Sequence, residues 1–463
     1  MNHTPGYQQG SPMNRAEMRA AFSLSGVYAL RMLGLFMILP VFALYAGELQ
    51  HVTPALTGLA IGAYGITQAL LQIPAGLLSD RIGRKPVIIG GLLVFAIGSV
   101  VAAQAESIYL VIIGRAMQGA GAIAAAIMAL VADLTREEHR IKAMALIGMS
   151  FGLSFALALV LGPLLDRWVG VPGIFWITAG LALAGIAVVA LVVPHPPRAR
   201  QHREAEAVPA QFGRVLRNPE LLRLDFGILV LHMVLTASFV VLPLVLRDQA
   251  GLEAERHWQV YLPVLVASVL AMVPFIILAE RRGHVKAVFT AAIAVLIVAE
   301  AGLFLLALTL TQVIVLLFVF FAAFNLLEAM LPSLISRVAP VDCRGTAMGV
   351  YSSAQFLGAF LGGAPGGLVQ GRFGLQAVFL SAALALLAWL VVAVSMRPPR
   401  KLGSYIHRVG VVEQPEADRL GRELAALAGV EEAVVVPEEG VAYLKVDRQL
   451  FDASSLPGGS GKP

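Results

Sequence analysis

The most informative segment is Gly76-Leu77-Leu78-Ser79-Asp80-Arg81-Ile82-Gly83-Arg84-Lys85, which separates two long apolar runs. Gly76 permits a neighbouring helix to approach closely, and Gly83 permits a sharp reversal of the chain. A carboxylate such as Asp80 at the edge of a membrane is costly without a cation or a helix N-terminus as partner. A plain basic hairpin would explain the arginines and the lysine but not the glycines and Asp80. The segment therefore predicts a structured loop between two membrane-spanning helices.

The composition of the whole chain agrees with a membrane protein. The 463 residues are 58% hydrophobic and 14% charged, whereas soluble domains carry about 25% charged residues. The mean hydropathy of +0.80 indicates that lipid is the solvent for most of the surface. The single cysteine, Cys343, excludes a disulfide framework and a CxxC site. The sequence contains no nucleophile–base set, phosphate-binding loop or metal-ligand cluster, so we expect no enzyme, cofactor, metal or nucleic-acid partner.

Apolar runs of spanning length, about 20 residues each, occur in two groups of six. The first group is 20–46, 56–79, 86–104, 108–133, 141–165 and 172–193. The second group is 223–246, 257–279, 286–309, 312–336, 345–370 and 375–396. The sequence thus predicts an all-α membrane region with twelve transmembrane helices. They form an N-terminal bundle (1–193) and a C-terminal bundle (223–396), joined by a basic, proline-containing linker (194–222).

Lysine and arginine concentrate in alternate loops, which predicts the orientation of the chain. The loops around Arg81, Arg140 and Arg281, the linker and both ends of the membrane region are basic. The other loops hold only Arg167, Arg247, Arg256 and Arg372. The positive-inside rule places the basic loops, and with them both termini, in the cytoplasm. Residues 1–17 lack the apolar core of a secretory signal, so we expect the first run to be the first span.

Two motifs recur about 200 residues apart. Asp80-Arg81-Ile82-Gly83 is echoed by Glu280-Arg281-Arg282-Gly283, and Arg140-x-x-Ala143-Met144 by Arg344-x-x-Ala347-Met348. Two repeated halves of six spans are typical of secondary transporters, whose binding site lies between the halves.

The segment from Gly76 to Lys85 resembles the signature loop of the major facilitator superfamily, G-x-x-x-D-R-x-G-R-[RK], at every defined position. A second segment, from Arg115 through Gln118 to Ala122, resembles the superfamily motif R-x-x-Q-G-x-G-A. The resemblance covers nearly the whole chain. It implies the major facilitator fold in a bacterial inner membrane, with the signature loop as a cytoplasmic latch between the bundles. We expect Asp80 to pair with Arg84 and with the start of the eleventh span near Gly345.

The fifth span partly resembles the superfamily's antiporter motif, G-x-x-x-G-P-x-x-G-G. The span carries Gly148-x-x-x-Gly152 and later Gly162-Pro163, but Ala158 replaces the upstream glycine of the motif and Asp166-Arg167 replace its closing glycine pair. The alternative interpretation is that these small residues form a helix–helix packing seam.

Polar residues inside apolar spans are candidates for proton coupling or for the lining of a cavity. They are Arg31, Arg115, Gln118, His232, Glu300, Asn325 and Glu328. Structural pairing is the alternative for each, and an ion pair between Arg31 and Glu328 would join the bundles. Arg115 could also reach the outer surface from the start of its helix. Glu300 ranks below the others, because the resemblance implies that the ninth span is peripheral in the fold.

Residues 403–463 form a polar C-terminal segment. The pattern predicts a strand at 406–412, a helix at 416–428 and strands at 433–436 and 441–446. This β-α-β-β order begins a ferredoxin-like unit and resembles the YAM domain found at the C-terminus of some superfamily members. A second helix is expected at best at 449–456, and no last strand follows, so the domain is truncated or completed by another chain. Regulation or self-association is its expected role.

The resemblance implies proton-coupled efflux of drugs or metabolites by alternating access, with lipid, protons and a small molecule as partners. Two other functions fit the same sequence. A proton symporter or facilitator would import a nutrient, and a membrane sensor would signal through residues 403–463. The sparse charge inside the spans favours neutral or hydrophobic-cation solutes.

Overall fold

We describe the protein from a computed structural model. It describes residues 13–194, 209–306, 309–340, 343–397, 402–410, 413–437, 440–447 and 450–456. About half of the predicted linker, residues 195–208, lies outside these ranges, as do the first twelve residues of the chain.

The N-terminal bundle is built from seven helical segments. They are α1 (Arg15–Phe36), α2 (Phe42–Tyr45), α3 (Pro54–Ile82), α4 (Arg84–Ala103), α5 (Ile108–Ala120), α6 (Ala124–Leu134) and α7 (Glu137–Leu191). The first predicted span is interrupted between α1 and α2, where Pro40 cannot supply the N–H of a continuous helix. The fourth span is interrupted at Gly121, where the chain lies against the backbone of Gly91.

The long helix α7 contains two spans. Gly170 inside it has φ 66° and ψ 174°, which breaks the helical path, and Pro172 follows. A span of about 20 residues is about 30 Å long, so 55 residues are enough to cross the membrane twice. The predicted turn between the fifth and sixth spans is therefore confirmed.

The C-terminal bundle follows a short linker helix, α8 (Phe212–Val215). Its six spans are α9 (Pro219–Asp248), α10 (Trp258–Arg282), α11 (Val285–Leu305), α12 (Leu310–Val338), α13 (Arg344–Phe373) and α14 (Leu375–Val394). In the described part of the chain, nine helical segments are long and apolar enough to cross a membrane by themselves. One of the nine, Lys142–Leu191, contains two spans. The helices α1 and α13 are not among the nine, because arginines in α1 and glycines in α13 lower their mean hydropathy. The predicted twelve-helix fold is confirmed.

Equivalent contacts in the two bundles support the internal repeat. The Lys85 ammonium, at the start of the third span, donates to the Val193 carbonyl at 2.6 Å. The Lys286 ammonium, at the start of the ninth span, donates to the Val394 carbonyl at 2.7 Å. Each bond ties the beginning of a bundle's third span to the end of its sixth.

The C-terminal segment folds into a small three-stranded antiparallel sheet with one helix. Its elements are β1 (Leu402–Arg408), α15 (Gln414–Ala425), β2 (Val430–Val436) and β3 (Val441–Asp447), with sheet order β1-β3-β2. Tyr405 of β1 pairs with Leu444 of β3, and Tyr443 of β3 pairs with Val434 of β2. The β-α-β-β order is confirmed and is consistent with a YAM domain.

Two details of the predicted tail are wrong. The first strand begins and ends about four residues earlier than expected, at Leu402–Arg408, and residues 411–412 lie outside the described ranges. In place of a second helix at 449–456, the described residues 450–456 hold only a 3-10 turn, Ala453–Ser455. Asp452 and the serines that follow it compete with the backbone for hydrogen bonds, which disfavours a regular helix.

Candidate functional site

The signature loop is organised around the Arg84 guanidinium. Gly83 has φ 99°, so α3 ends and α4 begins within one residue. Arg84 forms a salt bridge with Asp80, donates to Ser79 Oγ at 2.9 Å and lies 3.2 Å from Asp133 Oδ2. The predicted Asp80–Arg84 pair is confirmed. The membrane side on which this loop lies is called the loop side below, and the opposite side the far side.

Asp133, at the end of α6, is a member of the loop that sequence analysis missed. Its position could have identified it, because it is an acidic residue at the loop-side end of the fourth span, near the basic signature loop. With Asp80 it gives Arg84 two carboxylate partners, both within the N-terminal bundle. The expected contact of Asp80 with the start of α13 near Gly345 stays a prediction.

The other residues of the loop have separate positions. Lys85 is buried and holds the Val193 carbonyl, whereas Arg81 is exposed. A methyl group added at Gly76 would lie 3.0 Å from the Ala125 side chain of α6. Gly76 is therefore a close-packing position, as predicted.

The corresponding loop of the C-terminal bundle carries a different ion pair. Arg337 Nη2, at the end of α12, donates to both carboxylate oxygens of Glu280, at 2.6 and 2.7 Å. In the N-terminal bundle the arginine, Arg84, begins α4, and its acidic partners Asp80 and Asp133 lie at the ends of α3 and α6. In the C-terminal bundle the arginine is at the end of the equivalent tenth span.

Arg115 is fully buried inside the N-terminal bundle. Its Nη1 donates to Gln118 Oε1 at 2.8 Å, and Gln118 Nε2 donates to Ser99 Oγ at 2.8 Å. The guanidinium also faces the Ala60 carbonyl at 3.4 Å and stacks over the Tyr64 ring at 4.6 Å. Arg115 therefore does not reach the outer surface, and its second motif residue, Gln118, is its direct partner.

Arg31 is also fully buried, but its contacts are fewer. Its Nη2 donates to Gln68 Oε1 at 2.6 Å, and the guanidinium lies 5.2 Å from the centre of the Phe95 ring. Its Nε and Nη1 have no hydrogen-bond partner among the described residues. The expected ion pair with Glu328 is not formed, because Arg31 is turned toward α3 and α4 of its own bundle.

Glu328, His232 and Gln355 form a polar cluster between α9, α12 and α13 of the C-terminal bundle. Gln355 Nε2 donates to Glu328 Oε1 at 3.3 Å and lies 2.8 Å from His232 Nε2. The second carboxylate oxygen of Glu328 lies 3.9 Å from His232 Nδ1 and has no hydrogen-bond partner in the described structure. The Phe324 ring lies 6.0 Å from the His232 ring and 6.4 Å from the ring of Phe155, which belongs to α7 of the N-terminal bundle. The cluster therefore faces the N-terminal bundle.

Asp225 is a second functional candidate that sequence analysis missed. It is buried on α9, two helical turns from His232, and neither carboxylate oxygen has a hydrogen-bond partner among the described residues. Tyr351 of α13, whose hydroxyl is likewise unpartnered, is within electrostatic range of both Asp225 and Glu328. The sequence feature that could have identified Asp225 is its spacing of seven residues from His232, which places both on one helix face. This feature is weak because Asp225 lies at the edge of its span, where charged residues are common.

Two other predicted residues are engaged elsewhere. Asn325 Nδ2 donates to Ser268 Oγ of α10 at 3.0 Å, so it does not act together with Glu328. Glu300 accepts a hydrogen bond from Ser238 Oγ at 2.9 Å and is completely buried. Glu300 therefore faces α9 within its own bundle, and its lower rank as a coupling candidate stays a prediction.

The two bundles approach each other most closely between α3 and α13, in the far-side half of the molecule. Methyl groups added at Gly58 would clash with the Gly363 carbonyl, and at Gly65 would lie 2.5 Å from the Phe356 carbonyl. At the far end, Arg167 Nε of α7 lies 3.5 Å from Glu255 Oε2 of the C-terminal bundle. The far side is thus closed by backbone packing and an ion pair.

Aromatic rings fill the space between the bundles deeper in the membrane. Phe155 of α7 contacts Phe239, Phe321 and Phe324, with ring centroids 6.4 to 6.5 Å apart. The His232 ring lies 6.0 Å from Phe324. The polar cluster is therefore next to an apolar, aromatic surface contributed by both bundles.

The glycines of the fifth span do not share one role. Gly162, followed by Pro163, packs against the Met37 carbonyl at the break between α1 and α2, so it is a packing position. Gly148 and Gly152 have nothing within 4 Å of an added methyl group. The expected packing seam at these two glycines is wrong for this conformation, because the loop-side half of α7 is exposed there.

The chain matches the sequence profile of the Major Facilitator Superfamily over residues 24–363 and again over 257–417. It is 48% identical to the inner membrane transport protein YajR of Escherichia coli over 439 residues, covering 95% of this chain and 96% of that protein. It is 27% identical to the multidrug resistance protein MdtH of Aeromonas salmonicida, covering 73% of this chain and 84% of that protein.

Solved structures with lower identity share the fold. The human organic anion transporter MFSD10 superposes with a TM-score of 0.60 at 20% identity, covering 82% of this chain and all of that one. A bacterial homologue of the human lysosomal transporter Spinster superposes with a TM-score of 0.64 at 15% identity, covering 82% and 95%. With its repeated six-span bundles and its signature loop, the chain belongs to the major facilitator superfamily of membrane transporters.

Proposed function

We propose that the protein exports small molecules across a bacterial inner membrane in exchange for protons. The observation that supports coupling is the Glu328 carboxylate, half-buried beside His232 and Gln355 at the interface of the bundles, with 26% of its side chain exposed. It has no arginine or lysine partner among the described residues. A carboxylate in this setting is neutralised most simply by a proton, and the two protonation states interact differently with the facing bundle.

The closed far side supports a proposal for the state of this conformation. The positive-inside rule makes the far side periplasmic, so closure by α3 and α13 corresponds to a cytoplasm-facing carrier. In the opposite state we expect Asp80 and Arg84 to engage the start of α13. Gly148 and Gly152 would then pack against the C-terminal bundle, because small residues permit such sliding contacts.

Export of drug-like compounds is favoured by two observations. The space between the bundles is lined by phenylalanines around a single acidic cluster, which suits neutral or hydrophobic-cation solutes. One relative, MdtH, is named as a multidrug resistance protein. Each proton that enters would contribute about 2.3 kcal/mol per 100 mV of membrane potential.

The decisive experiment uses proteoliposomes with ethidium, a hydrophobic cation, under an imposed pH gradient of either direction. We expect flux against the ethidium gradient when protons move the opposite way. Glu328→Gln should abolish gradient-driven flux but keep ethidium exchange, because the amide imitates the protonated acid. Glu300→Gln is the matched control, a buried carboxylate of the same bundle bonded to Ser238.

A second measurement does not depend on the substrate. In a Cys343→Ser background, spin labels at Arg81 and Arg282 would report the distance between the loop-side ends of the bundles. Acidification should change the distance distribution in the wild type but not in Glu328→Gln. Unchanged pH dependence in that variant would exclude Glu328 as the coupling residue, and flux in the same direction as protons would indicate import.

The tail domain is proposed to regulate rather than to transport. The Lys445 ammonium of β3 donates to the Ala339 carbonyl at 3.1 Å, at the end of α12, and burial lowers its pKa. A cation at a helix C-terminus stabilises the contact by about 0.3 to 1 kcal/mol. Deletion of residues 403–463 should leave ethidium flux intact and alter its pH dependence. Complete loss of function in a folded variant would favour the sensor alternative.

A further inference from the structure

A basic cavity lies on the loop side of the C-terminal bundle, away from the polar cluster. It has a volume of about 890 Å³ and is bounded by the linker helix α8, the first turn of α9 and the end of α14. Its charged lining residues are Arg214, Arg217, Arg223, Arg397 and Glu220. Four arginines around a single carboxylate give the cavity a strong positive potential.

Two of the four arginines in this cavity have no acidic partner among the residues that the structure describes. Arg223 Nη1 pairs with Glu220 Oε1 at 2.5 Å, which uses the one acid. Arg217 and Arg397 form no ion pair within the described ranges. The cavity also lies at the N-terminus of α9, a helix of 30 residues, whose dipole adds positive potential. Like charges held around one space favour an anion between them.

Exposed apolar side chains are the sequence neighbours of several residues that line the cavity. Leu216, Leu222 and Val394 are exposed by 50%, 41% and 57%, and each is adjacent in sequence to a lining residue. Since α9 and α14 are spanning helices, these side chains lie where the apolar surface of the membrane region begins. An anion with an apolar tail would match both parts of the site.

We propose that this cavity binds the phosphate group of an anionic phospholipid. Arg217 and Arg397 would donate to the phosphate oxygens through their planar guanidinium groups, and the acyl chains would lie on Leu216, Leu222 and Val394. Arginine is suited to this role because its fork matches two phosphate oxygens at once. Basic pockets at the ends of spanning helices are suitable sites for lipid head groups. The lipid would fasten the linker between the bundles to the C-terminal bundle.

The test measures thermal unfolding of the full-length protein in detergent as phosphatidylglycerol, phosphatidylcholine or inorganic phosphate is added. We expect a saturable rise in Tm with phosphatidylglycerol alone. In R217Q/R397Q the half-saturating concentration should rise at least about tenfold, since two charge-assisted hydrogen bonds are lost. The matched control, R281Q/R282Q, removes two exposed arginines from the same membrane side and should respond like the wild type.

Each other outcome has a defined meaning. The proposed site would be wrong if R217Q/R397Q had the half-saturating phosphatidylglycerol concentration of the wild type. It would also be wrong if R281Q/R282Q raised that concentration as much as R217Q/R397Q does. A saturable response to inorganic phosphate that R217Q/R397Q loses would support the anion site and overturn the lipid as its ligand. If R217Q/R397Q does not fold, R217K/R397K keeps the charges without the planar forks. That variant should bind phosphatidylglycerol a few-fold more weakly, and wild-type binding would contradict the proposed contacts.

Discussion

The two bundles bury charges of opposite sign. Inside the membrane region, and apart from the ion pair of Arg84 with Asp133, the N-terminal bundle encloses Arg31 and Arg115. The C-terminal bundle encloses Asp225 and Glu300 and holds Glu328 half-buried. Neither arginine forms an ion pair, and none of the carboxylates pairs with a lysine or an arginine, among the described residues. The difference is chemical as well as electrostatic. An arginine remains charged at any physiological pH, whereas a carboxylate becomes neutral when it binds one proton.

The contacts of these groups agree with that difference. Arg115 is surrounded by permanent acceptors, namely Gln118, backbone carbonyls and the face of Tyr64. Glu328 and Asp225 have oxygens without hydrogen-bond partners in the described structure. The N-terminal bundle thus carries a fixed charge, and the C-terminal bundle carries charges that a proton can remove. Three substitutions test this contrast, and a fourth, at the paired carboxylate Glu17 outside the spans, gives a reference; they follow in order of expected effect.

Arg115→Met should cause the largest loss. Removing the guanidinium deprives Gln118 of its charged donor and the Tyr64 ring of its cation, so the free energy of unfolding should fall by about 3 kcal/mol. The measurement is denaturant or thermal unfolding in detergent micelles. Arg167→Met, in an ion pair whose arginine side chain is 63% exposed, should cost less than about 1 kcal/mol. Equal losses in the two variants would contradict a special role for the buried arginine.

Glu17→Gln should cost about 2 kcal/mol, with a defined pH dependence. Glu17 lies in the first turn of α1, outside the predicted span, and hydrogen bonds from the Arg136 side chain lower its pKa to about 2. Because the folded-state pKa is below the unfolded value, this stability is present above about pH 5 and is lost as the pH falls toward 2. Unfolding of wild type and variant should therefore converge in acid. A constant difference across that window would exclude the Glu17 charge as its source.

Arg31→Lys should cost about 1 kcal/mol, because lysine keeps the charge but loses the planar stacking on Phe95. A double-mutant cycle with Phe95→Leu isolates this contribution. The cost of Arg31→Lys should shrink in the Phe95→Leu background. An identical cost in both backgrounds would show that the ring does not stabilise the arginine.

Glu300→Gln should have the smallest effect, below about 0.5 kcal/mol, because an amide keeps the hydrogen bond with Ser238. Unfolding in detergent near neutral pH measures it. A loss of more than about 2 kcal/mol would show that the C-terminal bundle needs its buried negative charge. The charges of the two bundles would then differ only in sign, and not in whether a proton can remove them.

The fold was predictable because its signals are local. Twelve apolar runs, the positive charge of alternate loops and the residues from Gly76 to Lys85 each act over a few helical turns. Asp80 and Arg84 are four residues apart, so their pairing followed from the loop itself. The tail was predictable in element order but not in strand boundaries, since its first strand is fixed by pairing with β3 rather than by its own sequence.

The sequence identified most residues of the candidate site but not which of them contact each other. His232 and Glu328 were identified as polar residues in apolar spans, but their common partner Gln355 depends on the packing of three helices. The predicted ion pair of Arg31 with Glu328 is not formed, because the direction of the Arg31 side chain is set by tertiary contacts, here with Gln68. Asp133 and Asp225 lie at span ends, where charged residues are common and carry little signal.

The bonds from Lys85 to Val193 and from Lys286 to Val394 have a mechanical consequence. Each joins the start of its bundle's third span to the end of its sixth, so helices far apart in the sequence are held together. Under the proposed alternating access, each bundle would therefore move as one body. The glycine-lined contact of α3 with α13 would be the axis of that motion.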